Sequence, residues 1–188
     1  MIKIAIFASG NGTNAQQISE YFADSEQVNV DCIIYNRKDA YVAERAKKLG
    51  IPAIYFGKKD FFENGKVLSY LQDRKISWVI LAGFLWLVPQ EILDAFPDHI
   101  INIHPALLPK YGGKGMYGHH VHEAVIANHE KESGITIHIV DNHYDRGTIL
   151  FQATCPLTEK DTPDTLAEKI HLLEKEYFPA IIEKTILG

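Results

Sequence analysis

Apolar positions along the chain follow two alternating patterns. Ile2–Ala8 is apolar at nearly every position, as in a strand buried on both faces. Glycines and asparagines follow, then an amphipathic stretch that puts Ile18, Tyr21 and Phe22 on one helical face. Val28–Tyr35 reads as a second strand, and residues 40–49 as a helix that Gly50 and Pro52 bring to an end. Residues 53–56 predict a short third strand. Asp60, with Glu63 at the capping-box position, predicts a helix running to about Arg74 with Val67, Leu68 and Leu71 inward. Residues 78–82 and Ile100–His104 read as a fourth and a fifth strand. This strand–helix rhythm predicts an α/β fold, a mostly parallel twisted sheet with helices on both faces. Past residue 130 the rhythm changes. Residues 134–140 and 148–155 form two strands with no helix between them, an antiparallel pair. Thr162 caps and Pro163 opens a final helix with Leu166, Ile170, Leu173 and Tyr177 on its inner face.

Composition narrows the function classes. A length of 188 residues favours one domain, residues 1–188. The 19 Lys and Arg against 24 Asp and Glu give a net charge of −5, a poor balance for generic binding of nucleic acid or an anionic membrane, though compatible with a local anion pocket. Cys32 and Cys155 are too few for a disulfide framework and too far apart for a zinc site, which fits a reducing cytoplasm. The apolar run near the N-terminus, Ile4 to Ala8, is far shorter than the roughly 18 residues a membrane span needs.

Five segments carry candidate chemistry. Ser9-Gly10-Asn11-Gly12-Thr13-Asn14 follows the first strand and opens a helix, where free N–H groups and small residues suit a phosphate. The plainer alternative is a tight turn capped by Thr13 or Asn11. Asn102 and His104, two apart at the end of a strand, share a face and together suit a developing oxyanion, unless His104 is simply a structural histidine. Asp145 is either a turn former before Arg146-Gly147 or a carboxylate aimed at His104, where it would raise the imidazole pKa. His119 and His122 at i, i+3 either share a metal or are solvated histidines at a helix start. Leu85, Trp86, Leu87 and Val88, past the fourth strand, either receive a flat aromatic ligand or pack into the core.

The four segments GNGTN, LAGF, NIHPALLPKY and GITIHIVDNHYDRGTIL occur in order across essentially the whole chain. In this the chain resembles the phosphoribosylglycinamide formyltransferases, the folate-dependent enzymes of purine synthesis. The resemblance implies a single Rossmann-like formyltransferase domain. It implies formyl transfer from 10-formyltetrahydrofolate, the cosubstrate, to the amine of glycinamide ribonucleotide, with no metal. Asn102, His104 and Asp145 match the family's catalytic trio, and Gly12, Thr13 and Asn14 its substrate-phosphate loop. His171 and Glu174 fall where the family contacts the glycinamide substrate. Leu85, Trp86, Leu87 and Val88, with Val140, Asp141, Asn142, His143 and Tyr144, match the segments around the folate pterin. It also suggests a cis Leu108–Pro109 bond. Trp86, Arg146, His171 and the long segment 112–120 depart from the usual pattern.

The chemistry expected on this basis uses Asn102 and a protonated His104 to hold the formyl oxygen, with Asp145 keeping His104 charged. A chain that runs from Met1 straight into a strand and stops, acidic, at Gly188 is not expected to be a formyltetrahydrofolate hydrolase or a methionyl-tRNA formyltransferase. A non-catalytic nucleotide- or folate-binding module remains the alternative of a different class. The expected assembly is a monomer or weak homodimer, with no nucleic acid and no membrane as partner.

Overall fold

β1 (Ile2–Ala8) is fully buried from Ile4 to Ala8, so it must be covered on both faces and flanked on both edges. The computed structural model describes residues 1–141, 145 and 147–188. They fall into two compact units, residues 1–101 and 102–188, with the division inside β5 (Ile100–His104).

In the first unit β1 pairs in parallel with β2 (Val28–Tyr35) and with β4 (Trp78–Leu81), and β2 pairs in parallel with β3 (Ala53–Tyr55), so the order is β3-β2-β1-β4. Each connection carries a helix: α1 (Thr13–Tyr21), α2 (Val42–Leu49), then α3 (Lys58–Phe62) and α4 (Lys66–Asp73), with α5 (Gln90–Ala95) after β4. Ile4, Ile6, Ile33, Ile34 and Ile80 are fully buried in this core, each worth about 1.5–3 kcal/mol. Asp31, nearly buried, is not left unpaired: Lys3 lies 3.1 Å away and Arg74 on its other side.

In the second unit the order is β5-β6-β7, with β6 (Glu132–Ile139) and β7 (Ile149–Pro156) antiparallel, followed by α7 (Pro163–Leu187); α6 (His119–Ala127) precedes β6. The mostly parallel sheet with an antiparallel C-terminal pair is thus the one the sequence pattern predicts.

Four local expectations are corrected. The helix expected from Asp60 to Arg74 is two helices. Asp60 is the third residue of the first, its carboxylate accepting from Gly57 N at 3.1 Å, and Gly65 at φ 64° starts the second. The helix expected over 40–49 begins at Val42, where its first amide is turned to Gly10 O. Tyr21 is exposed, because the helix ends there and only Ile18 and Phe22 turn inward. Along α7 the buried row is Leu166, Ile170, Glu174, Phe178, Ile182 and Ile186, spaced by four, while Leu173 and Tyr177 lie half-buried beside it. A row of i+4 steps put a carboxylate, Glu174, where apolarity alone predicted leucine.

Candidate active site

β5 delivers Asn102 and His104 to one end of the second unit, Asn102 half-buried and His104 buried. The chain beyond them is pinned. Thr136 Oγ1 donates to Ala106 O at 2.7 Å and accepts from Leu108 N at 3.0 Å. Gln152 donates to both Leu108 O and Thr136 Oγ1. The Leu108–Pro109 peptide is cis, as the resemblance suggested. The turn between β6 and β7 then carries Asp145 to this place. Its Oδ2 lies 3.7 Å from His104 Nδ1 and accepts from Gly113 N at 2.9 Å, while its Oδ1 lies 3.7 Å from His138 Nε2. Two glycines allow the approach. A side chain at Gly112 would meet Leu108 and come within 3.2 Å of Asp145 Cβ, and one at Gly147 would strike Ile139 O. Asp145 is therefore no mere turn former: the fold brings it to His104.

The protonation state differs from the expectation. His104 Nε2 lies 2.7 Å from Tyr111 O, and a carbonyl can only accept, so Nε2 carries the proton. Burial pulls the His104 pKa below its ordinary value, and the Asp145 carboxylate and the Tyr111 hydrogen bond restore only part of it. His104 is thus neutral at pH 7, with the Nδ1 lone pair turned toward Asp145, rather than the standing imidazolium that a nearby carboxylate alone would give. Desolvation wins because at 3.7 Å the carboxylate is close enough to attract but too far to hydrogen-bond.

In the first unit the loop after β1 has the form of an anion cradle. Gly12 takes φ 76° and caps α1, and a Cβ there would lie 2.4 Å from Val42 Cγ2, so the position admits only glycine. No side chain caps α1; neither Thr13 nor Asn11 does so. The amides of Thr13 and Asn14 at the helix start lack intrahelical acceptors, as a bound anion requires. Asn11 is instead held by Arg45, whose Nε donates to Asn11 O at 2.8 Å and whose Nη2 donates to Asn11 Oδ1 at 2.8 Å. Gln16 takes another guanidinium hydrogen. All three acceptors are uncharged, so the loop gains a cation. Sequence reasoning missed Arg45, since a lone basic residue on an exposed helix carries no signal.

Residues 85–88 turn away from the end of β4. Leu85 N donates to Ser9 Oγ at 2.9 Å, which fixes this loop against the one after β1. Leu85 and Leu87 are 43% and 47% exposed, whereas Val88 is buried and Trp86 packs edge-on to Phe61 at 5.5 Å. Two exposed leucines on a tethered loop fit an apolar ring, while Trp86 and Val88 serve the core. In the second unit Val140 is half-buried and Asp141 exposed; Asn142, His143 and Tyr144, with Arg146, lie outside the described residues.

On α7, His171 Nδ1 meets Glu174 Oε2 at 3.0 Å, which raises the His171 pKa. Glu174 is itself buried, so one carboxylate oxygen is committed to a partly exposed imidazole. The histidines at the start of α6 are not all solvated. His119 and His120 are exposed, but His122 is only 5% exposed, and its Nδ1 finds no hydrogen-bond partner. Its place on the row with Val121 and Val125 turns it inward. Among the described residues no group of three or more His, Cys, Asp or Glu is arranged to hold a metal.

These burials predict a pH-dependent stability. Burial pushes His122 down to about 4 and also lowers His104 and His138. The unfolded chain then binds more protons than the folded one below about pH 6.5, so stability is full above that value and is lost as pH falls toward the folded pKa values. His122 alone contributes on the order of 3 kcal/mol between about pH 6.5 and 4. Urea midpoints at pH 7 and pH 5 should separate widely for the wild type and draw together in His122→Leu; an unchanged separation would show that His122 titrates normally.

A family model described as formyl transferase matches residues 2–182. The chain belongs to the formyl transferase family. It is 41% identical over 195 residues to the chloroplastic phosphoribosylglycinamide formyltransferase of Arabidopsis thaliana, covering 98% of this chain and 66% of that one. A second plant relative, from Vigna unguiculata, is covered to 62%, so the chain spans a little under two thirds of the length of these plant proteins. The phosphoribosylglycinamide formyltransferase of Bacillus subtilis is 34% identical, with 100% of this chain and 96% of that one covered. Among solved structures, glycinamide ribonucleotide transformylase 1 from Geobacillus kaustophilus superposes with a TM-score of 0.89 at 32% identity, over 100% of both chains. This formyl transferase also has, among its described residues, no helix long and apolar enough to cross a membrane.

Proposed function

We propose that the protein transfers the formyl group of 10-formyltetrahydrofolate to the amine of glycinamide ribonucleotide, through Asn102, His104 and Asp145. The observation that carries this reading is the convergence of those three side chains in a family of formyl-transferring proteins. A binding module has no need to bury an imidazole beside a carboxylate and an amide.

In this reading the cosubstrate supplies an electrophilic formyl carbon. The amine forms a new C–N bond to it, the bond to N10 breaks, and one proton passes from the amine to N10. Asn102 directs an amide hydrogen at the formyl oxygen as it gains charge. His104, neutral at rest, takes the departing amine proton on Nδ1, directly or through water, and returns it toward N10. Asp145 at 3.7 Å stabilises the imidazolium while it exists. Gly12, Thr13 and Asn14 hold the 5′-phosphate, helped by the charge of Arg45, and this fixes the amine in place. Glu174, with His171, contacts the glycinamide end. Leu85 and Leu87, both exposed, offer an apolar wall for the pterin. Residues 1–188 act as one catalytic domain in the cytoplasm, as a monomer or weak homodimer.

The test mixes the protein with both substrates and follows tetrahydrofolate release by absorbance. One tetrahydrofolate per formylated amine is expected. Dephosphorylated glycinamide riboside should give a kcat/KM lower by about a hundredfold or more, since it forfeits the helix-start and Arg45 contacts. Equal kcat/KM for the two would remove the phosphate assignment, and no release with either would remove the formyl-transfer reading.

A further inference from the structure

Over residues 135–139, β6 alternates isoleucine with two polar side chains: Thr136 and His138 point one way, Ile135, Ile137 and Ile139 the other, and all five are buried. Thr136 is accounted for by the loop it pins. His138 is essentially inaccessible, and it lies against two of the three residues assigned to the chemistry.

We propose that His138 is a positioning residue: a neutral imidazole locked in one tautomer that sets the orientation of the Asn102 amide. The inference rests on the formyl-transfer reading for what Asn102 does, but its geometry stands independently. His138 Nδ1 lies 3.0 Å from Ile139 O, an acceptor only, so Nδ1 carries the hydrogen. In the neutral ring Nε2 is then a lone pair. Asn102 Nδ2 lies 3.1 Å from it and must donate. An amide has two faces that differ only in which end is NH2 and which is oxygen, and neither strand geometry nor packing distinguishes them. The His138 lone pair does: turning the amide over would place oxygen against lone pair. One Nδ2 hydrogen is thereby spent on His138, and the plane of the group is fixed. The second hydrogen points in one direction, toward whatever oxygen is bound there.

The charges around His138 make this state conditional. Asp145 Oδ1 lies 3.7 Å from Nε2, and Asp145 and Asp141 both favour a charged ring, while burial opposes it; His104 shares Asp145 and would repel a second imidazolium. A protonated His138 would present Nε2–H to Asn102 and force the amide to turn, replacing a donor with an oxygen at the developing negative charge. The same tautomer that satisfies Ile139 O therefore keeps Asn102 useful.

The experiment has two arms. The first is 15N NMR of the wild-type imidazoles at pH 7. His138 should show hydrogen on Nδ1 and a bare Nε2; hydrogen on Nε2, or on both nitrogens, overturns the proposal whatever the activity. The second arm is kinetic. His138→Leu should lower kcat by about a hundredfold, the scale of losing one oriented donor, with KM for both substrates within about twofold. His138→Gln, whose side-chain oxygen can accept from Asn102 in place of Nε2, should recover at least tenfold of that loss. In an Asn102→Ala background, His138→Leu should cost almost nothing further. Full activity in His138→Leu, or equal losses in the leucine and glutamine variants, would show that His138 only fills space. A wild type that is inactive but shows the Nδ1–H tautomer would instead refute the formyl-transfer reading and leave the amide lock standing.

Discussion

His104→Ala and Asp145→Ala should each lower kcat by about three orders of magnitude, and the double variant should lose little more than either alone. A positioned proton-transferring group contributes about 10²–10⁴ in rate. His104 supplies that group only if Asp145 steadies the charge that appears on it. When one member is gone the other has no task, so the losses do not multiply. Were Asp145 present only to shape the turn, the losses would multiply and Asp145→Ala would show mainly as a lower Tm. The direction of the His104 pKa gives a separate check. Burial holds it below its ordinary value and Asp145 partly offsets that, so removing the carboxylate should lower it further. NMR titration of wild type and Asp145→Asn measures this, and an unmoved or raised His104 pKa in the variant would dissolve the pairing. The acid limb of the kcat profile should move with it, since catalysis needs His104 neutral at rest.

Gly12→Ala should raise KM for the phosphorylated substrate by about a hundredfold and lower Tm by several degrees. Two separate costs act at this position. The backbone sits at φ 76°, where an alanine pays about 1–2 kcal/mol. The new methyl would also lie 2.4 Å from Val42 Cγ2 and 2.9 Å from Val42 Cα, and the second of these is backbone that cannot turn aside. The start of α2 is tied to the same loop through Val42 N to Gly10 O, so relief must move the loop itself and with it the amides at the start of α1. Gly10→Ala, by contrast, meets nothing within 4 Å and should leave stability nearly unchanged. Substrate titration and thermal melting of the two variants separate these outcomes. A Gly12→Ala variant that binds the phosphorylated substrate normally would place the anion elsewhere.

Much of the first unit was legible in the sequence, because β1 and β2 are mostly buried on both faces and read as largely apolar runs. Ile2–Ala8 and Val28–Tyr35 were bounded correctly for that reason. The helix ends were less legible. Asn64-Gly65 breaks one amphipathic stretch into α3 and α4, and the break lies in the backbone conformation of Gly65, which periodicity does not record.

For the site, the sequence by itself determined which chemical groups are available and which neighbours share a direction. Asn102 and His104 are two apart on a strand, so they face the same way in any fold that keeps the strand. Gly12, Thr13 and Asn14 follow a strand and open a helix, so their amides are free in any such turn. Only the tertiary structure decided the states of those groups. Asp145 reaches His104 and His138 because β6 lies beside β5 in the sheet, some thirty residues on in the chain, and β7 returns antiparallel to β6. Whether His104 rests charged or neutral depends on the balance between burial and a carboxylate at 3.7 Å, and both come from chain segments remote from it. His122 passed for a solvated histidine until α6 turned it inward, and His138 passed for a strand residue until Asn102 and Asp145 were seen to meet it. Direction along a strand or helix is local geometry, and local geometry is written in residue order. Protonation and hydrogen-bond partnership are set by solvent exclusion and by charges brought from elsewhere in the chain, and those exist only once it has folded.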